Sequence, residues 1–76
     1  MKRVATIGDM VKFIGRDGKT AYCKVTALEL DERSRFMAIL EIQSGRKKGY
    51  VGSFPVKLIR WDGKVFVADA RDEANS

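Results

Sequence analysis

Histidine is absent from the 76 residues, and Cys23 is the only cysteine. Without imidazole or paired thiols, the usual zinc-ligand spacings, an intrachain disulfide and the Ser-His and Cys-His nucleophile pairs are all excluded. Binding is therefore expected rather than catalysis, with no metal and no cofactor. Cys23, set between Tyr22 and Lys24, reads as a small buried hydrophobe. No apolar run approaches the ~20 residues of a membrane span, and residues 1–6 lack the apolar stretch of a signal peptide. A cytoplasmic protein with no membrane partner is expected.

What is present describes one small folded domain over residues 1–68, followed by a polar, acidic tail at 69–76 that is expected to be disordered. Hydrophobic residues make up 45% of the chain and charged residues 33%, a balance that suits a globular domain. A chain this short buries only about 60% of the surface its unfolded form exposes, so the core is thin. Residues 1–68 hold fourteen Lys/Arg against seven Asp/Glu, a balance of +7, while the tail holds three acids and one Arg. The folded part is thus the more basic, and it will concentrate polyanions near its surface.

The organising stretch is residues 8–30. An alternating run from Met10 to Ile14, the pair Asp17-Gly18 and a second run reaching Leu30 predict a β-hairpin with a type I′ turn, which needs φ > 0 at both central residues. Alternation then places Val11, Phe13, Ala21, Cys23, Val25 and Ala27 on the inner face and Lys12, Tyr22, Lys24 and Thr26 on the outer. Gly15-Arg16-Asp17-Gly18-Lys19-Thr20 ends like a phosphate-binding loop. Phe13 stands where that motif needs its first glycine and a strand follows, so a hairpin turn is the reading.

Residues 27–41 are open to two readings. Thr26 and Glu29 fit a capping box ahead of a helix, but the polar block 31–35 interrupts any core-facing stripe and favours strand, loop, strand. Further on come a basic loop at 44–49, a strand at 50–54 stopped by Pro55, a tight turn at 56–58, and a second Asp-Gly hairpin at Asp62-Gly63 leading into a strand at 64–67. Together these predict an all-β domain, a small five- to six-stranded barrel. Residues 1–7 form a lead-in, either frayed or paired as an edge strand.

Strands at this spacing resemble the Src-homology-3-like small barrels. Gly8, Asp9, Val11, Phe13, Lys19 and Val25 also fall in the register of the KOW motif of ribosomal and transcription-elongation proteins. Arg16, Thr20 and Cys23 stand where that motif has glycine. The resemblance covers about a quarter of the chain and implies a partner in nucleic acid or its machinery. A second resemblance is to the plasmid-borne, trimethoprim-resistant dihydrofolate reductases, through Gly8-Asp9 and the segment from Val51 to Val56. There the family's pore-lining glutamine and tyrosine become Gly52 and Phe54, and its ligand-binding lysine becomes Phe13. That resemblance implies a barrel without the reductase activity.

The candidate site combines Arg46, Lys47 and Lys48 with Tyr50, Lys57, Arg60 and Trp61. Cations neutralise phosphates, and exposed aromatic faces stack bases at about 1–3 kcal/mol each. The competing reading makes Tyr50 and Trp61 caps on a thin core and the cations a soluble hairpin tip. Lys12, Arg16, Lys19 and Lys24 extend the patch if their strand faces it. The expected partner is DNA, RNA or a nucleic-acid-processing protein. The alternative is a protein-interaction module for a peptide or acidic surface, as a monomer or a homo-oligomer.

Overall fold

Val11, Cys23 and Val25, alternate residues of the first two runs, are all buried on one face. This alternation yields β1 (Met10–Ile14) and β2 (Thr20–Leu30), paired antiparallel. The computed structural model describes residues 3–74. The turn between these strands sits where expected but is of another type. Gly18 has φ +83° while Asp17 does not enter the positive-φ region, so the two consecutive left-handed residues of a type I′ turn are missing. Instead Gly18 N donates to Gly15 O, Gly15 N donates to Lys19 O, and Asp17 Oδ1 accepts from Lys19 N at 2.9 Å. The carboxylate stabilises the turn locally, so Asp17 need not leave the common backbone regions.

Residues 27–41 are strand, loop and strand. β2 pairs antiparallel with β3 (Phe36–Ile42), with a register shift between Val25 and Ala27. Thr26 is the extra residue, and its hydroxyl donates to Ile39 O at 3.3 Å. An inserted residue inverts the alternation beyond it. Leu28, rather than the expected Ala27, therefore packs on the core. The connecting loop is built on Asp31, whose carboxylate accepts from the backbone N–H of Arg33 and Arg35 and pairs with the Arg35 guanidinium at 2.7 Å. Backbone donation from Arg35 leads the causes that lower the Asp31 pKa.

β4 (Val51–Pro55) pairs antiparallel with β3, and a 3₁₀ turn at Val56–Leu58 leads to the short β5 (Arg60–Trp61). β5 joins β6 (Phe66–Asp69), which lies parallel to β1. The last strand starts later than expected because Asp62 Oδ1 accepts from Lys64 N and Val65 N, both at 2.8 Å, keeping those residues in the turn.

The result is one six-stranded sheet in the order β4-β3-β2-β1-β6-β5. β4 and β5 are the two ends and do not pair with each other, so the expected barrel is not closed. Pro55 offers no N–H, and the turn after it commits Val56 and Ile59 to the core, leaving β5 only two residues long. Phe54, Val11 and Val25 are the largest fully buried side chains. The lead-in forms no strand over residues 3–7. It is held by buried Ala5 and by Gly8 N donating to Val25 O at 2.8 Å, and residues 1–2 lie outside the described part.

The expected disordered tail is ordered in its first part. Ala70–Ala74 is a short helix, α1, and residues 75–76 lie outside the described part. Buried Asp69 accepts from Arg71 N at 3.0 Å, Arg71 Nε at 2.9 Å and Arg71 Nη2 at 2.7 Å, and Asp72 pairs with Arg60 at 3.1 Å. These charge-assisted bonds, which composition does not reveal, fasten the segment. The Arg71 guanidinium first, then its backbone N–H, lowers the Asp69 pKa from 3.8 to about 2. A carboxyl with a depressed folded-state pKa contributes stability above its unfolded value and loses it as pH falls through the folded one. Asp69→Asn is expected to lower the melting temperature at neutral pH and to narrow its gap to the parent between pH 3.8 and about 2. Thermal unfolding across that window checks it, and a constant gap contradicts it.

Candidate functional site

The β3–β4 connection displays the densest run of cations. Gly49 N donates to Ile42 O, Lys48 N to Gly45 O, and Tyr50 N to Lys47 O, while Ile42 N returns a bond to Tyr50 O at 2.9 Å. The φ of +92° at Gly49 lets the chain re-enter the sheet immediately after the three basic residues. Arg46, Lys47 and Lys48 are thereby splayed around one tight, exposed turn, with Tyr50 beside them at 65% exposure. Among the described residues none of these three cations forms an ion pair; the paired arginines are Arg35, Arg60 and Arg71.

The turn of the first hairpin stands next to this loop. Asp17, Lys19 and Thr20 line one wall of a groove of about 290 Å³, and Ser44, Arg46 and Lys47 line the other, over Phe13 and Ile42. The same Phe13, Ile42 and Lys47 also line a second cleft, of about 260 Å³, that runs along β4 past Cys23, Tyr50 and Gly52. Burial raises the Cys23 pKa, so its thiol stays protonated at neutral pH. The two clefts adjoin over a shared apolar floor, and the charged residues along them are Lys19, Arg46, Lys47 and one acid, Asp17.

Of the expected site residues, Arg46, Lys47, Lys48 and Tyr50 are brought together. Lys57 lies beyond the far end of β4, where with Arg35, Phe36, Pro55 and Leu58 it borders a separate cleft. Arg60 is paired with Asp72. Trp61 packs edge-on to Phe66 at 5.0 Å, and the Arg3 guanidinium covers its ring at 4.4 Å. The guanidinium occupies one face of the indole and Phe66 abuts the ring, so less of it is open to a base. Of the four cations on the first hairpin, Lys19 reaches the patch. Lys12 and Lys24 point to the opposite face, because Val11, Cys23 and Val25 beside them are buried.

Gly52 entered the sequence reading only as the residue in place of a pore-lining glutamine, although a glycine within a strand itself signals a close approach by ligand or backbone. It has no positive φ, and a Cβ added there meets nothing within 4 Å. Neither strain nor crowding in this chain requires a glycine at that position. Its missing side chain keeps the cleft open. Gly52→Val is expected to stabilise the sheet by about 0.5–1 kcal/mol, through gained strand propensity, while narrowing the cleft. Chemical denaturation measures the first effect and ligand affinity the second, and a destabilised variant would contradict the open space above Gly52. Comparison of the chain with protein-family models, curated proteins and solved structures finds no match.

Proposed function

We propose that this protein binds nucleic acid, or a complex that carries it, through the 46–48 loop and the adjoining cleft. The observation behind the reading is the cluster of Arg46, Lys47 and Lys48, unpaired among the described residues, beside exposed Tyr50 and within one groove of Lys19. Cations not held in ion pairs of their own are free to displace the counterions of a polyphosphate, and Tyr50 supplies a stacking face. The finer fold reading, an opened Src-homology-3-like barrel with a partial KOW motif, draws support from Gly8 and Asp9 at the entrance to β1 and from buried Val11 and Val25. A cytoplasmic location accompanies it. Fluorescence anisotropy with labelled single- and double-stranded DNA and RNA over a salt series tests the function. Measurable binding at low salt that weakens as salt rises supports it, and no binding at low salt ends it.

A further inference from the structure

We propose that the free edge of β4 receives an extended peptide with acidic ends, added as a seventh strand to the six-stranded sheet. The inference does not rest on the nucleic-acid reading. β4 pairs only with β3, and its outer side makes no backbone hydrogen bond among the described residues.

The register identifies the groups that are free. Ile42 N donates to Tyr50 O, and antiparallel pairs alternate between bonded and non-bonded positions. The pairs of Leu40 with Gly52 and Ala38 with Phe54 are then the bonded ones. The N–H and C=O of Val51 and Ser53 therefore point outward, where a further strand can meet them. Pro55, at the next outward position, has no N–H and stops the free edge there. Above the edge, Gly52 leaves the cleft open, so inward side chains of an added strand would lie over Phe13 and Ile42.

Charge selects the occupant. At one end of the edge stands the turn that carries Arg46, Lys47 and Lys48, and at the other stands Lys57. Both ends are cationic, so a strand with acids at both ends is complementary in either direction. A second copy of this chain pairing β4 to β4 in antiparallel register would set the 46–48 loop of each against Lys57 of the other, and like charges placed so are unfavourable. An acidic partner is favoured over self-association.

The probe is a fluorescein-labelled peptide of alternating Val and Thr with two glutamates at each end. Its control carries lysines in place of the glutamates. Anisotropy reads affinity, and amide hydrogen exchange reads the Val51 and Ser53 N–H groups. The acidic peptide is expected to bind, to slow exchange at those two amides and to outbind the lysine peptide. Ser53→Pro, which removes an outward donor without touching a bond to β3, is expected to weaken binding about tenfold. Lys47→Glu is expected to weaken it about fivefold. Unchanged melting of both variants separates these losses from unfolding. The proposal is overturned if the acidic peptide does not bind, if Ser53→Pro binds it as tightly as the parent, or if the lysine peptide binds equally well. Protection of Val51 and Ser53 by oligothymidylate instead, or by dimerisation without peptide, overturns it too.

Discussion

Replacing Arg46, Lys47 and Lys48 together with alanine is expected to flatten the salt dependence of oligonucleotide binding by about two log units of affinity per tenfold change in salt. Each phosphate contact on a single strand contributes a slope of about 0.7, and three cations sit on the one turn. Affinities measured between about 50 and 200 mM salt give both slopes directly. Lys64→Ala, in the distant β5–β6 turn, serves as the control and is expected to leave the slope nearly unchanged. An unaltered slope in the triple variant would remove the loop from the interface. All three side chains are exposed and make no ion pair among the described residues, so the variant is expected to melt like the parent.

Phe54→Ala is expected to unfold the protein at 25 °C. The ring is 1% exposed and meets Phe13 edge-on, with centroids 6.2 Å apart. Removing a buried Phe costs about 3–5 kcal/mol, which is about the whole stability that a core of this size supplies. Circular dichroism and the emission of Trp61, shielded in the parent by Phe66 and Arg3, are expected to report an unfolded chain. A cooperative melt within a few degrees of the parent would show that Phe54 does not anchor the core. The cost is high because Phe54 is the largest of the fully buried side chains and sits on an edge strand. Only one neighbouring strand is there to close over the void.

Features encoded by neighbouring residues were legible in the sequence. Asp17-Gly18 and Asp62-Gly63 mark both hairpins, the polar block built on Asp31 separates two strands, Cys23 is buried, and the basic loop is exposed. What failed depends on partners distant in the chain or on atomic detail. A carboxylate bonding to a nearby N–H changes the type of the first turn and the start of the last strand. The extra residue at Thr26 becomes visible only against β3, and it alone decides whether Ala27 or Leu28 turns inward. Arg3 and Trp61 are far apart in the sequence, so the covering of that ring could not be foreseen. The open edge of β4 follows from which strands fail to meet, a property of the whole topology rather than of residues 51–55. Gly52 was the one local hint of it.

The parallel contact of β1 with β6 bears on how the chain reaches this state. Val11 lies beside Phe66, 55 positions later, so the second neighbour of the earliest strand is made almost last. During synthesis the amino-terminal hairpin must wait with one flank bare until residues 66–69 leave the ribosome. Pairing across such a separation slows the search for the native arrangement, placing refolding in the millisecond-to-second range rather than in microseconds. A nascent chain halted before Phe66 would expose the flank of β1 as well as that of β4, and would be at its most vulnerable to proteases and to clumping with its own kind.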